Sequence, residues 1–186
     1  MSKGRFMSDY AVHYTRMGKN AFIGKYATYA MVGIGMYGDL SEGPDPFQST
    51  GTAAIQFGNE SSFVESTSLV GRAWIIKEPQ YAPKGSAVRV GRDASNDLIV
   101  PEYSLSKNHC DFRLEGEQLF VTDLGSLNGT LLNGKRIPAN EEVLVQAGTI
   151  LVLGRFQFEI VDAIQFAARV GDFAALTKAT KKSTFT

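Results

Sequence analysis

Between Arg89 and Asn133 the polar residues of this chain fall into clusters whose types suit one kind of chemistry. Gly91-Arg92 comes first, then Asn96-Asp97, then Ser104-Leu105-Ser106-Lys107-Asn108-His109, and last Asp123-Leu124-Gly125-Ser126-Leu127-Asn128-Gly129-Thr130 running on to Asn133-Gly134. Short apolar runs separate the clusters, which puts them at strand ends and in loops, where binding residues gather. An arginine fork matches phosphate oxygens two at a time. A serine hydroxyl, a lysine ammonium and a loop amide add donors from other sides. Charge-assisted hydrogen bonds are worth roughly 1.5–3 kcal/mol each, so a few of them hold a phosphorylated side chain on a flat surface. Asn128 offers both a donor and an acceptor and can grip a peptide main chain beside the phosphate.

The elements that must position these loops are mostly strands. Ala73 to Ile76, Ala87 to Val90, Leu98 to Val100, Cys110 to Leu114, Leu119 to Asp123, Thr130 to Leu132, Lys135 to Ile137, Val143 to Val145, Thr149 to Leu153 and Arg155 to Val161 are short apolar or alternating runs broken by Gly, Pro and Asn. Close, regular spacing of this kind predicts an all-β sandwich or barrel. Asn133-Gly134 predicts a type I′ hairpin turn. Phe166, Val170, Phe173 and Leu176 recur with helical spacing, predicting an amphipathic helix from Ala163 to Thr177 followed by Lys178, Lys181 and Lys182.

The first 68 residues differ. Lys3, Arg5, Arg16, Lys19 and Lys25 face Asp9 alone up to residue 25, whereas residues 26–71 hold only acidic charges. Leu40 to Ser68 is rich in Ser, Thr, Gly and Pro, the composition of a linker. Ten aromatics before residue 69 argue against ordinary disorder and for an arm that packs on something. Ile23, Tyr26, Ala30 and Ile34 fit a short helix, against which Gly24, Gly33 and Gly35 count. The expected division is thus an arm and acidic linker at 1–68, a β domain at 69–162, and a helix with a basic tail at 163–186.

Composition limits the function. Nineteen basic and nineteen acidic residues cancel, which speaks against a nucleic-acid or membrane-surface binder. The single Cys110 cannot form an internal disulfide and suits a reducing compartment. Two histidines and one cysteine are poor material for a zinc site, so neither metal nor cofactor is expected. Tyr26 to Gly38 is uncharged but too short to span a bilayer, and a cytoplasmic location is expected.

Gly-Arg, then Ser-x-x-His, then Gly-Ser-x-Asn-Gly-Thr followed by Asn-Gly resembles the forkhead-associated (FHA) domain pattern over about residues 70–162. The resemblance is specific because the motifs occur in order, at compatible spacings, within a strand-rich stretch; small bacterial FHA proteins share Gly-Ser-Leu-Asn-Gly-Thr. It implies a sandwich of about eleven strands that recognises phosphothreonine peptides without catalysis. By that resemblance Arg92 and Ser106 bind the phosphate, Lys107 is an adjacent contact, and Asn128 holds the peptide main chain. His109 braces the loops, and Gly91, Gly129 and Asn133 are structural. Leu127 stands where Thr, Ser or a basic residue is common: a contact made through the backbone amide accepts leucine there, whereas one that needs a side-chain donor is weakened by it. Asn108 replaces a common basic residue.

The resemblance implies a partner protein carrying phosphothreonine and a Ser/Thr kinase that writes the mark. Two other readings stay open: a switch whose own arm docks at the phosphate site, and a phosphate-independent scaffold or part of a larger protein. For the switch, Thr52 and Thr67 are the candidate phosphosites, each with an aliphatic residue three positions on, Ile55 and Val70.

Overall fold

The structure, a computed structural model, describes residues 2–26, 28–37 and 69–183. Twelve strands among these residues form two sheets: a seven-stranded sheet ordered β1-β3-β2-β12-β11-β8-β9 and a five-stranded sheet ordered β10-β7-β6-β4-β5. The strands are β1 (Arg5–Phe6), β2 (Tyr29–Met36), β3 (Arg72–Ile76), β4 (Val88–Gly91), β5 (Leu98–Ile99), β6 (Cys110–Glu115), β7 (Gln118–Asp123), β8 (Thr130–Leu132), β9 (Lys135–Arg136), β10 (Glu142–Val145), β11 (Ile150–Leu153) and β12 (Phe156–Val161). Neighbours run antiparallel except β4 and β5. This is the FHA-type β-sandwich that the sequence pattern implies.

Alternation along the strands builds the core between the sheets. Val88 and Val90, Cys110 and Phe112, and Leu119 and Val121 point inward from one sheet, and Trp74, Leu151, Phe156 and Phe158 from the other. Trp74 is fully buried, meets Phe158 edge to face at 5.6 Å, and donates its indole N–H to the Ile99 carbonyl at 2.9 Å, tying the sheets together. The N-terminal residues stitch the same seam. Ser2 bridges to Leu98 in one sheet, Arg5 and Phe6 pair with β3 in the other, and Gly4 lies against the Trp74 ring with no room for a Cβ.

Residues Tyr29–Met36 form a strand, not the helix that Ile23, Tyr26, Ala30 and Ile34 suggest. It lies between β3 and β12 and is covered on both faces: Met31 faces the sandwich core, and Ala30 and Val32 face a helical layer. A strand buried on both sides has no polar face and loses its period of two, so a helical spacing arises by accident. Gly33 admits the chain here, since a Cβ would sit 2.2 Å from the Leu69 carbonyl oxygen. The seven-stranded sheet therefore draws on residues from both sides of 38–68.

The helical layer consists of α1 (Met7–Met17), α2 (Lys19–Lys25) and α3 (Ala163–Ser183). Tyr10, Phe22, Phe166, Ala167 and Val170 pack with Ala73 and Val161 on the outer face of the sheet. Asp162 and Gln165 exchange side-chain to backbone hydrogen bonds at the start of α3, a capping box. The helix runs six residues past the expected Thr177 and takes in Lys178, Lys181 and Lys182, good helix formers along with Ala179. Thr52 and Thr67 lie outside the described residues.

Candidate functional site

Three loops meet at one end of the sandwich: the one after β4, the one before β6 and the one after β7. Gly91 lets the first two touch. A Cβ there would lie 2.1 Å from the Lys107 carbonyl oxygen and 2.9 Å from the Asn96 side-chain nitrogen. The close approach lets Arg92 N–H donate to Ser106 O at 3.1 Å and Asp93 N–H to Lys107 O at 3.2 Å. Fully buried Asn96 fastens the pair, its Nδ2 donating to Asp93 O and Lys107 O.

The Arg92 side chain is exposed and makes no hydrogen bond or ion pair among the described residues. The nearby carboxylates are engaged elsewhere: Asp93 accepts Ser95 N–H and Asp97 accepts Arg89 N–H. The Ser95 hydrogen bonds hold the Asp93 carboxyl below its ordinary range, with smaller help from the Lys107 and Arg92 charges. Lys107 is exposed and also without an ion pair among the described residues.

His109 is fully buried beneath these loops. Its Nδ1 accepts Ser106 N–H at 3.1 Å, so the ring proton sits on Nε2 and is donated to Gly129 O at 3.2 Å. Burial pushes its pKa down, outweighing the Gly129 hydrogen bond and the Asp123 charge. A neutral ring with both nitrogens engaged braces two loops and has no capacity left for proton transfer.

A second link joins the same loops: Leu127 N–H donates to Ser106 Oγ at 3.0 Å. The Ser106 oxygen acts as acceptor here, so its own O–H proton remains to donate outward. The Leu127 amide, one of the two contacts open at this position, is spent inside the site, and Leu127, 78% exposed, presents its side chain to solvent.

Asp123 organises the last loop. Its buried carboxylate accepts Gly125 N–H, Ser126 N–H, Ser126 O–H and Thr130 O–H. Burial alone would raise its pKa, but the Thr130 and Ser126 hydrogen bonds hold it below the usual carboxylate value. The loop so shaped carries Asn128, whose Nδ2 donates to Ser104 O at 2.7 Å while its carbonyl accepts Arg136 Nη2–H at 2.8 Å. Gly129 follows in the left-handed region at φ 75.

Arg92, Ser106, Leu127 and Asn128 thus come together on one face with Lys107 beside them, and Gly91, His109 and Gly129 lie beneath. Asn133 stands apart. With Gly134 it forms the β8–β9 turn, at φ 49 and 80 as type I′ requires, and its Oδ1 accepts Ile150 N–H. Sequence reasoning assigned no role to Asn96, Ser104, Asp123, Thr130 or Arg136. For Asp123 a signal existed: Asp-x-Gly-Ser is an Asx-turn pattern. Chemically the face offers a guanidinium, an ammonium, a hydroxyl and an amide, a donor set for a dianion next to a polar main chain. Among the described residues no cluster of three or more His, Cys, Asp or Glu could hold a metal ion, and no helix is long and apolar enough to cross a membrane.

The FHA domain profile matches residues 88–154, the span holding all three loops. The oxoglutarate dehydrogenase inhibitor of Corynebacterium glutamicum is 31% identical over 109 residues, covering 59% of this chain and 74% of that protein. The glycogen accumulation regulator GarA of Mycobacterium tuberculosis is 31% identical over 118 residues, 63% of this chain and 70% of the relative. A solved FHA domain from work on phosphothreonine-dependent interactions overlays 49% of this chain and 84% of its own at 23% identity and TM-score 0.42.

Proposed function

Because this chain belongs to the FHA domain family, we propose that it is a non-catalytic reader of phosphothreonine on a partner protein, in the cytoplasm, downstream of a Ser/Thr kinase. The reading unit is residues 69–162 completed by β2 from the N-terminal side. One observation carries the reading: Arg92, Ser106 and Asn128 stand on three loops, the first pinned to the second by the Arg92–Ser106 and Asp93–Lys107 backbone hydrogen bonds and the second to the third by His109 and the Leu127–Ser106 hydrogen bond, while their outward donors remain free. Arg92 and the Ser106 hydroxyl hold the phosphate, Lys107 adds charge, and Asn128 grips the peptide main chain. Leu127 contributes apolar contact through its side chain. The named relatives, an enzyme inhibitor and a regulator of glycogen accumulation, support a regulatory role exercised by protein binding.

The test is binding of matched phosphothreonine, phosphoserine and unphosphorylated peptides drawn from a degenerate library, followed by calorimetry. Preference for phosphothreonine is the expected result; equal binding of the unphosphorylated peptides favours the phosphate-independent scaffold.

One contact favours the self-docking reading for residues 38–68. Tyr37 N–H donates to Arg155 O, and Arg155 N–H donates to Ser104 Oγ, the residue whose carbonyl holds Asn128. The segment therefore starts beside the site. Thr52, fifteen residues on from Tyr37, has up to about 50 Å of chain between the two. Thr67 is only two residues from buried Leu69, so Thr52 has the longer tether and is the first candidate to test.

A further inference from the structure

Building on the reading that Asn128 grips the peptide main chain, we propose that Arg136 is the positioning residue that holds Asn128 in its gripping pose. Arg136 lies on β9, across the hairpin from Leu131, and its Nη2–H donates to the Asn128 carbonyl at 2.8 Å. Its guanidinium covers the next residue so closely that a Cβ on Gly129 would lie 1.9 Å from Nη1. The same short turn is held from the buried side by His109, which donates to the Gly129 carbonyl at 3.2 Å. Two successive carbonyls are thus gripped, one by an exposed cation and one by a buried imidazole. The Asn128 side chain is anchored once, through Nδ2 to Ser104 O, which leaves Oδ1 and the second amide hydrogen for a ligand.

The guanidinium has no ion-pair partner among the described residues, so the ordinary task of a surface arginine is missing. A planar fork can donate to a carbonyl and lie over a glycine at once; a lysine ammonium cannot do both. Without Arg136 the Asn128–Gly129 peptide keeps only the long Gly129 N–H to Ser126 O hydrogen bond, at 3.3 Å, and the amide that meets the ligand is less firmly directed. The phosphate contacts at Arg92 and Ser106 sit on other loops and keep their own pins.

The experiment is calorimetry of the full chain with a phosphothreonine peptide selected from the degenerate library, using Arg136→Gln, Arg136→Lys, Asn128→Ala and the double variant Asn128→Ala/Arg136→Gln. Arg136→Gln should weaken binding about tenfold, the worth of one charge-assisted hydrogen bond. The double variant should bind no more weakly than Asn128→Ala alone, since both act through one group. Arg136→Lys should recover only part of the loss, and the loss should persist at about 0.5 M salt, where simple attraction is screened. Additive losses in the double variant overturn the proposal, as does full recovery by lysine with the effect vanishing in salt. If Arg136→Gln shows no cooperative melting, Arg136→Lys combined with Asn128→Ala decides by the same additivity criterion. A wild-type chain that prefers no phosphopeptide refutes the phosphothreonine reading itself, an outcome distinct from additivity.

Discussion

The side chains of Asp123 and Arg92 belong to the same cluster of loops, yet the first is buried and accepts four hydrogen bonds while the second is exposed and makes none among the described residues. His109 and Asn96 side with Asp123: both are fully buried and use their ring or amide nitrogens to fasten one backbone segment to another. Lys107 and Leu127 side with Arg92, exposed at the surface. Polar groups at the base of the site hold backbone, and those at the rim are left for a ligand. The separation has a physical cause. A buried polar group without a partner costs about 1–3 kcal/mol, so the base is paired almost throughout, Asn96 Oδ1 being the exception, whereas rim donors stay hydrated until something replaces the water.

Loss of a base residue should therefore cost stability and binding together, and loss of a rim residue should cost binding alone. The largest effect on stability is expected at Asp123. Asp123→Ala strands the buried Thr130 hydroxyl and the turn amides, and should cost about 3 kcal/mol or more in chemical denaturation, with phosphopeptide binding lost. Its depressed pKa also has a sign. The carboxylate is favoured in the folded state, so its contribution is complete above the unfolded value of about 3.9 and disappears as pH falls through the lower folded value. Acid unfolding of Asp123→Asn should accordingly be shallower in that window; an unchanged acid profile would contradict the role of this clamp.

His109 comes next. His109→Ala should lower stability by roughly 1–3 kcal/mol and loosen the Ser106 and Gly129 loops. Because burial depresses the pKa, the neutral ring is the folded form. Stability from this group is full above about pH 6.5 and declines as pH falls toward the folded value. Melting temperatures measured from pH 7.5 to 5.5 should drop for the wild type and be flatter for the variant. A variant as stable as wild type but unable to bind would move His109 from base to rim.

Arg92→Ala tests the other side of the comparison. Stability should stay within about 0.5 kcal/mol of wild type while calorimetric binding of the phosphothreonine peptide disappears. Unchanged affinity would remove Arg92 from the phosphate contacts. The smallest effect is expected at Leu127. Replacing the side chain by Ala leaves the amide link to Ser106 intact, so stability should not change and affinity should fall by a few-fold at most, by loss of apolar contact. A large loss of stability there would show that the side chain, despite its exposure, packs into the base.

The rim was legible in the sequence because its residues announce themselves by type: Gly91-Arg92, Ser106-Lys107 and Asn128-Gly129 stand in loops between apolar strands, and loop polarity is a local property. The strands of the sandwich were legible for the same reason, each being a short run closed by Gly, Pro or Asn. Much of the base was not. Asn96 and Arg136 look like ordinary surface residues until chain reversal brings the Lys107 and Asn128 carbonyls to them. The strand Tyr29–Met36 was missed for the opposite reason, since covering both of its faces erased the alternation that marks a strand.

The sequence by itself determined the β character of residues 69–162, the helix beginning at Ala163, the Asn133-Gly134 turn and the donor set of the site, because side-chain period, turn chemistry and residue type act over a few neighbours. Only the tertiary structure decided that β2 from the N-terminal side completes the sheet, that the three helices cover its outer face, that Leu127 spends its amide on Ser106, and that Asp123 and Arg136 hold the last loop. These depend on which backbone carbonyls and amides are left unpaired once the sheets have packed, and that is settled by contacts between residues far apart in the chain.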